Sequence, residues 1–484
     1  MWHRRETRRQ TEKTHLNLRY LEKLVYTTTM NVKVMNMKVS TMIDSKIFRD
    51  WFGSQEMREI FTDEYRLQRW LDVEAALARV QGRLGMIPAE AAQEISAQAR
   101  VENLNLAEFK ESADRTVHPI MPLIWGLQKV CQKAFGEYIH WGATTQDIMD
   151  TGMMLQIKDA AAILFRDLRI IEEILGQLAV KHRDTLMAGR THGQHGLPLT
   201  FGFKVAVWLA EVRRHLQRWE QSRERILVGN LSGAVGTHAA MGLLGIKVQR
   251  GVMEELGLGE PEITWHPARD RIAEFVFLLA STCATMGKIA KEVINLQKTE
   301  VAELAEPFAL GKVGSSTMPQ KRNPHLCEAV LAISKMVRYH AALALEGMVQ
   351  EHERDMAAWM AEWEMVPQAC ILTSGLLQHS KAILQNLWVN EKKMRSNLDM
   401  LQGLILSEPV MFALAEKVGH HAAHRIIYEI AMKAHESGEA FKEALLADER
   451  VASHLGPEKI DQLLDPEKYT GLSLELVDRL IEKN

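Results

Sequence analysis

The chain has 484 residues, of which 46% are hydrophobic and 25% are charged, a composition typical of a soluble globular protein. Its formal net charge of −3 provides no basic field of the kind that attracts nucleic acid. No uninterrupted apolar run approaches the ~18 residues that span a membrane. The composition therefore predicts neither a nucleic-acid partner nor a membrane partner.

The cysteine pattern indicates the redox compartment. The four cysteines are widely spaced and form no Cys-x-x-Cys pair; they are Cys131, Cys283, Cys327 and Cys370. Such spacing predicts reduced thiols in a cytoplasmic protein, with no disulfide framework and no zinc site. The glycine-rich stretch 233–237 lacks the preceding strand of a dinucleotide fingerprint. We therefore expect neither a cofactor nor a metal.

Residues 1–46 differ in composition from the rest of the chain, being rich in Arg, Lys, Thr and Met. They lack the apolar core of a signal peptide, and the glutamates at positions 6, 12 and 22 disfavour a transit peptide. We predict that this segment is a flexible N-terminal extension or reflects an upstream translation start.

The remaining sequence predicts long helices. Only 13 prolines occur, and they leave long gaps in which no helix interior is broken. Within three of these gaps, apolar residues recur at alternating steps of three and four, a seam that packs on neighbouring helices. Period-two runs of β-branched residues are nearly absent, so the predicted class is all-α with a long central helical bundle. The seams are Ile157, Ala161, Leu164, Leu168, Ile171, Leu175 and Leu178; Val205, Trp208, Val212, Leu216 and Trp219; and Ile272, Val276, Leu279, Cys283, Met286, Ala290 and Val293.

We predict three helical domains after the N-terminal extension. The N-terminal helical domain covers 47–154, the central bundle covers 155–400, and a smaller helical domain covers 401–484. Helices as long as those of the bundle expose seams on several faces, and one bundle cannot cover them all. Association between chains is therefore expected.

One segment combines several groups that suit it to proton transfer, namely Gly314-Ser315-Ser316-Thr317-Met318-Pro319-Gln320-Lys321-Arg322-Asn323-Pro324. A glycine-led loop can move, and backbone N–H groups beside Lys321 and Arg322 can hold a carboxylate. A serine in such a loop is a candidate proton acceptor rather than a turn residue alone. Two other segments precede it, namely His140-Trp141-Gly142-Ala143-Thr144-Thr145-Gln146-Asp147 and Arg190-Thr191-His192-Gly193-Gln194-His195.

These three segments, in this order, resemble the signature regions of the fumarase/aspartase superfamily over roughly residues 47 to 484. The resemblance implies an all-α tetramer in which the central helices of four subunits form a twenty-helix core. It also implies active sites that are shared between subunits, each built from three regions of three different chains. The implied reaction is an anti addition or elimination beside a carboxylate, in which a base removes a proton from the α carbon.

The resemblance assigns the catalytic roles. Ser315 matches the catalytic base, with Ser316 as its rival, and Lys321 matches a cation that grips the substrate carboxylate and supports the base. His192 matches the general acid of the adenylosuccinate lyase branch, because imidazole titrates near neutrality. Glu328 matches the carboxylate that orients and charges that histidine.

The resemblance also supplies candidate substrate-binding groups. Hydroxyl and amide donors on a loop that precedes a helix suit a second substrate carboxylate. Gln297 is a plausible amide contact from the long helix, His118 and His140 resemble substrate-lining histidines, and His195 fits either a substrate contact or a supporting role. The predicted substrate-binding residues are Thr144, Thr145, Gln146, His140, Thr191, Gln297, Ser316, Asn323 and Arg354.

The choice within the superfamily remains open between two branches. Two tryptophans, Trp359 and Trp363, follow His352-Glu353-Arg354-Asp355 where an adenylosuccinate lyase carries phosphate donors, which disfavours a nucleotide substrate. The 358–363, 142–147 and 265–271 segments resemble 3-carboxy-cis,cis-muconate cycloisomerase instead. Bacterial cycloisomerases, however, tend to carry tryptophan and alanine where this chain has His192 and Glu328.

The sequence favours an enzyme that acts on a small, non-nucleotide polycarboxylate, most simply by cycloisomerase-type lactonisation. The alternative is an adenylosuccinate-lyase-like enzyme that cleaves a C–N or C–O bond of a succinyl adduct and releases fumarate. A catalytically silent scaffold protein is the remaining alternative, and the presence of all five groups of the catalytic set argues against it. That set is Ser315, Lys321, Asn323, His192 and Glu328.

Overall fold

The computed structural model describes residues 41–308 and 313–482, so most of the predicted N-terminal extension lies outside the described residues. Nearly all regular structure in the described part is helical, which confirms the predicted all-α class. The α-helices are α1 Gln55–Ile60, α2 Asp63–Arg83, α3 Ala89–Gln98, α4 Leu106–Thr116, α5 Met121–Val130, α6 Thr145–Lys181, α7 Phe201–Ile226, α8 Gly245–Leu256, α9 Asp270–Gln297, α10 His325–Glu346, α11 Met356–Gln385, α12 Glu391–Leu398, α13 Ser407–Val418, α14 His420–Ser437, α15 Phe441–Ala447, α16 Glu449–Ala452, α17 Pro457–Leu463 and α18 Ser473–Glu482.

Two small antiparallel sheets interrupt the helices. Strand β1 (Leu186–Thr191) pairs with β2 (Gln194–Thr200) in a hairpin, and β3 (Leu304–Ala305) pairs with β4 (Trp388–Val389). The register of the hairpin places Thr191 opposite Gln194, so the loop has only two residues, His192 and Gly193. The hairpin therefore presents the second signature segment at its tip.

The described chain divides into two compact units. The first contains the described part of Met1–Lys46 together with Phe61–Ile157 and Val228–His266. In it, α2 packs against α3 and α8. The second contains Ile47–Ile60, Lys158–Leu227 and Pro267 onwards, and in it α9 packs against α7, α10 and α11. The division into three domains at 154 and 400 stays a prediction.

The apolar seams predicted from sequence lie inside α6, α7 and α9, and every seam residue is buried. Hydrophobic burial of these seams is the main term that stabilises the long helices, because isolated helices are marginal in water. Five of the C-terminal helices, α13 to α17, contribute to a hydrophobic cluster of their own, centred on Val410, Leu414, Ile427, Phe441 and Leu445.

Helix α9 is long and apolar enough to cross a membrane by length and composition, although no uninterrupted apolar run marks it in the sequence. Of its most apolar stretch, 72% is buried inside the protein, as expected for the core helix of a bundle. A bent pair of segments, Glu391–Leu401 and Leu404–Val418, passes the same test together. Such isolated matches are weak support for a membrane span.

Candidate functional site

The carboxylate of Asp147 organises the first signature segment, in the first compact unit. It accepts hydrogen bonds from the backbone N–H groups of Thr144 (3.0 Å), Ser232 (3.0 Å) and Gly233 (2.8 Å). Its Oδ1 also lies 2.9 Å from Nε2 of His266. The bond back to Thr144 is half of a capping box at the start of α6. Asp147 thereby ties the glycine-rich 233–237 stretch to the helix that begins at the candidate site.

The two threonines lie at the N-terminus of α6, as the sequence predicts. Both are partly buried, and Oγ1 of Thr145 lies 3.4 Å from Nε2 of His118. Backbone N–H groups at the start of a 37-residue helix favour an anion, so the setting suits a carboxylate. Gln146, by contrast, is fully buried, and its amide donates to the carbonyl of His266 at 3.1 Å.

His140 forms a close pair with a buried acid that the sequence analysis missed. Its ring Nδ1 lies 2.6 Å from Oε1 of Glu74, and its backbone N–H donates to the other carboxylate oxygen at 3.1 Å. Burial disfavours the charged ring, but the charge and hydrogen bond of Glu74 outweigh that cost and raise the pKa of His140 above 6.5. No motif marked Glu74, because a single acid within a helical repeat resembles a surface residue in sequence.

His192 occupies the tip of the β1–β2 hairpin in the second compact unit. His192 (φ 53°) and Gly193 (φ 79°) both have positive φ, which fits a type I′ turn. His192 and Thr191 are exposed, so the imidazole is presented outward by a tight turn. An X-Gly pair between two extended runs was the signal that would have predicted this hairpin.

A buried ion pair anchors the hairpin. The guanidinium of Arg190 contacts both carboxylate oxygens of Glu303, one of them at 2.9 Å, and Glu303 is fully buried. The side-chain amide of Asn397 donates to the same carboxylate at 2.8 Å. Burial and the nearby Arg190 cation lower the pKa of His195, and Glu303 only partly offsets them. These surroundings favour the neutral form of the His195 ring.

The third signature segment folds back on itself around Ser315. The Ser315 Oγ accepts hydrogen bonds from the backbone N–H groups of Thr317 (3.3 Å) and Met318 (3.1 Å). A Cβ at Gly314 would lie 2.1 Å from the carbonyl oxygen of Lys321, so only glycine fits that position. Two N–H donors on one hydroxyl oxygen are the arrangement that stabilises a negative oxygen.

The other predicted residues of this segment differ in exposure. Ser316 and Lys321 are exposed, and Asn323 is partly buried just before α10. The guanidinium of Arg322 lies over the ring of Phe308, 5.0 Å from its centroid. The helix α10 begins directly after Pro324, and its first turn carries Glu328.

Within this chain, Glu328 pairs with a neighbour on its own helix. Its carboxylate lies 3.4 Å from Nδ1 of His325, and 57% of the side chain is exposed. The predicted pairing of Glu328 with His192 stays a prediction. Arg354 is partly buried in the turn between α10 and α11. Gln297, the last residue of α9, bonds to the backbone carbonyl of Arg322 and to the backbone N–H of Glu306.

The tryptophan segment of α11 is largely internal. Trp359 is buried and meets Trp363 edge-to-face, with ring centroids 5.0 Å apart. Between them in sequence, Glu362 forms a buried ion pair with Arg269, with one N–O distance of 3.0 Å. Two of the segments that resemble cycloisomerases thus meet in the core of the second unit. Because these residues are internal, their resemblance to cycloisomerases indicates a similar core packing more directly than a similar substrate.

The candidate residues fall into two sets. Thr144, Thr145, Gln146, His118 and His140 belong to the first compact unit, and the remaining candidates belong to the second. Among the described residues, no group of three or more His, Cys, Asp or Glu side chains is arranged to hold a metal ion. All four cysteines are free, and Cys283, Cys327 and Cys370 are buried.

Comparison with known proteins places this helical chain among the lyases. Residues 53–338 match the family model described as lyase, and residues 403–480 match the model described as adenylosuccinate lyase C-terminus. The chain therefore belongs to the fumarase/aspartase superfamily and is an enzyme of that superfamily, which confirms the resemblance inferred from the three signature segments.

The chain is similar to curated relatives along almost their whole length. It is 45% identical over 91% of its length to the N-acetyl-S-(2-succino)cysteine lyase of Dickeya dadantii, of which it covers 97%. It is 39% identical over 91% of its length to the 3-carboxy-cis,cis-muconate cycloisomerase of Pseudomonas aeruginosa, covering 96%. The crystal structure of a fumarate lyase from Mesorhizobium sp. BNC1 superimposes with a TM-score of 0.84 at 41% identity, covering 90% of this chain and 99% of that one.

Proposed function

We propose that this protein cleaves the C–S bond of an S-(2-succinyl) thioether such as N-acetyl-S-(2-succinyl)cysteine and releases fumarate. The observation that carries the reaction class is the Ser315 hydroxyl, which receives two backbone N–H donors in a glycine-led loop. The similarity to the Dickeya lyase, at 45% identity, supports the substrate class. The sequence favoured lactonisation, with cleavage of a C–N or C–O bond as the alternative; a C–S bond is proposed here because sulfur is the leaving atom in that relative's substrate.

The proposed reaction begins with a proton on the succinyl methylene carbon, which lies next to one carboxylate and is bonded to the carbon that carries sulfur. Ser315 Oγ, as the alkoxide, takes that proton, and the electron pair moves into the carboxylate as an aci-carboxylate dianion. The dianion then forms the carbon–carbon double bond of fumarate as the C–S bond breaks, and sulfur leaves with the bonding pair. The thiol of N-acetylcysteine results when the leaving sulfur gains a proton.

Charge stabilisation is the main catalytic requirement of this reaction. The α proton is weakly acidic, and fixed donors around the developing dianion are typically each worth about 10²–10³ in rate. We assign Lys321 and Asn323 to one carboxylate and Thr144 and Thr145 to the other. Thr191, Gln146, His140, Ser316 and Arg354 remain proposed substrate contacts.

His192 is proposed as the acid that protonates the leaving atom, with Glu328 as its charge partner. A thiol has a pKa of about 8.5, far lower than that of an amine, so a thiolate leaves with little help from an acid. We therefore expect replacement of His192 to slow cleavage of a thioether less than cleavage of a succinyl amine.

Cycloisomerase activity is the second candidate. It is favoured by the 39% identity to the Pseudomonas enzyme and by the tryptophan segment at 358–363. Its chemistry differs only in the atom on the second carbon, which is a carboxylate oxygen of the same molecule instead of sulfur. The base and the carboxylate-binding groups would serve both reactions.

A substrate panel separates the candidates. Purified protein is incubated with N-acetyl-S-(2-succinyl)cysteine, 3-carboxymuconate and adenylosuccinate, and fumarate, free thiol and loss of carboxymuconate absorbance are measured. We expect equal amounts of fumarate and thiol from the thioether, at a kcat/KM at least tenfold above that for the other two compounds. Turnover of carboxymuconate alone would establish the second candidate, and turnover of adenylosuccinate alone would overturn both.

A further inference from the structure

The side chain of Gln297 bonds to backbone groups that lie on either side of Ser315 in the chain. Its Nε2 donates to the carbonyl oxygen of Arg322 at 3.0 Å, and its Oε1 accepts from the backbone N–H of Glu306 at 2.9 Å. These two backbone groups lie on either side of Ser315 in sequence. One amide at the end of α9 therefore links the backbone at Glu306 to the backbone at Arg322, and we call this link the Gln297 junction.

Glu306 fixes the Gln297 junction to the next helix. Its carboxylate is buried, and one oxygen accepts the backbone N–H groups of Leu326 (2.9 Å) and Cys327 (3.0 Å) in the first turn of α10. A carboxylate at this position is stabilised by the helix dipole and satisfies N–H groups that have no partner within the helix. The Gln297 junction is thus connected to both α9 and α10.

The Arg322 carbonyl, which accepts from Gln297, lies next to a close backbone contact of Gly314, the residue before Ser315. Gly314 packs so closely on this strand of backbone that an added Cβ would lie 2.1 Å from Lys321 O and 3.1 Å from Arg322 Cα. A shift of Arg322 would therefore displace Gly314, the residue that precedes Ser315. The two bonds to the Ser315 hydroxyl, from Thr317 and Met318, lie within the same turn.

We propose that Gln297 is a positioning residue. It sets the place of Ser315 through the Gln297 junction rather than by contacting substrate. This inference rests on the proposed function of Ser315 as the base. Catalysis by a base depends on geometry, and a misplacement of about 1 Å can cost roughly 10²-fold in rate. Lys321 and Asn323 flank Arg322 in the chain, so loss of Gln297 also loosens substrate binding. Binding, however, tolerates small shifts better than proton transfer does.

The two bonds of Gln297 can be removed separately. Gln297→Glu keeps an oxygen that accepts from Glu306 N–H but loses the donor to Arg322 O, whereas Gln297→Leu loses both bonds. Gln297→Asn retains the amide on a shorter side chain and tests reach. Lys298→Ala is the matched control, because Lys298 is the adjacent exposed residue and has no assigned role.

Two measurements are made on each full-length variant. The first is kcat and KM for the preferred substrate of the panel, where we expect Gln297→Leu to lower kcat by about 10–100-fold with KM changed less than about threefold. The second, without substrate, is hydrogen exchange of the amides of Thr317, Met318 and Glu306, which we expect to accelerate at least tenfold in Gln297→Leu. Gln297→Glu should retain protection of Glu306 alone.

The outcomes distinguish the alternatives. A rise in KM with kcat and amide exchange unchanged would show a direct substrate contact, as the sequence predicted, and would overturn the positioning role. Unchanged kcat together with unchanged exchange would also overturn it. If the wild-type protein turns over no compound of the panel, the proposed function fails, while faster exchange in Gln297→Leu and normal exchange in Lys298→Ala would still establish the structural link.

Discussion

A serine hydroxyl removes a carbon-bound proton only where its surroundings favour the negative oxygen. In water the hydroxyl is far too weak an acid to be present as alkoxide at neutral pH. In this chain the Ser315 Oγ receives two N–H donors from the turn that follows it. Donors of this kind cost no reorganisation when charge develops, because the backbone already fixes their direction. The sequence predicted the serine as the base, whereas the two N–H donors to it are seen only in the structure.

The His140–Glu74 pair gives a prediction for pH dependence. Glu74 raises the pKa of His140 in the folded protein above 6.5, the ordinary value. The stabilisation from this pair is therefore fully present below 6.5 and is lost as the pH rises through the folded pKa. We expect Glu74→Gln to lower the midpoint of thermal unfolding at acidic pH and to have a shrinking effect above the folded pKa.

The direct measurement for that pair is titration of His140 by NMR. The pKa of His140 should fall in Glu74→Gln, in which the backbone bond to His140 N–H can persist. His325→Gln is a suitable control, because His325 is half exposed and its ring pairs with the exposed carboxylate of Glu328. A His140 pKa that is the same with and without the Glu74 charge would contradict the assignment.

At the scale of elements, the long helices were predictable and the short strands were not. Steps of three and four in the apolar pattern identified α6, α7 and α9, because each buries one continuous face. The hairpin escaped notice because β1 and β2 are short and carry mixed residues, including Pro198. Helix α11 also runs through Pro367, which is buried inside it, although proline usually ends a helix.

The supporting residues of the site were harder to predict than the catalytic candidates. Ser315 and His192 stand in short motifs that can be recognised in one sequence. Asp147, Glu74, Glu303 and Glu306 act through backbone groups or partners far away in the chain, so spacing alone does not reveal them. Gln146 and Gln297 were assigned by motif to substrate, and their partners in the structure are backbone groups.

The anchor of the His192 hairpin gives a prediction at this scale. Replacing Glu303 by Gln leaves the largely buried guanidinium of Arg190 without its carboxylate. Loss of one partner from a buried pair typically costs about 3–5 kcal/mol, and the hairpin should lose its fixed position. We expect a lower unfolding midpoint and a lower kcat.

The control for that variant is Glu429→Gln, which breaks an exposed pair with Arg450. Exposed pairs contribute little because water screens them, so its unfolding midpoint and kcat should stay close to those of the wild type. Equal effects of the two substitutions would contradict a special role for Glu303.

At the scale of the whole molecule, apolar side chains remain on the outside of the bundle helices. Exposed examples lie on α7 (Val207, 49%), α9 (Phe277, 55%) and α10 (Tyr339, 78%; Leu343, 42%). Exposed apolar residues on three long helices are consistent with contact with another chain. We propose the tetramer implied by the superfamily, and expect a mass in solution four times the 55.0 kDa of the chain.

Sharing of active sites between subunits gives a sharper prediction than mass. If the base and the acid of one site come from different chains, mixed tetramers of Ser315→Ala and His192→Gln contain some sites with both groups intact. We expect the mixture, after dissociation and reassembly, to regain at least several times the activity of either variant alone. Mixed tetramers that form by native mass spectrometry but stay inactive would contradict shared sites.

The most direct test of the account is the kcat of Ser315→Ala on N-acetyl-S-(2-succinyl)cysteine, measured by release of fumarate. A positioned base typically contributes about 10²–10⁴ in rate, so we predict a loss within that range with an unchanged circular dichroism spectrum. Ser316→Ala, the rival within the pair, should lose roughly tenfold or less. A folded Ser315→Ala protein that retains more than about a tenth of wild-type turnover, or a larger loss in Ser316→Ala, would contradict the central claim.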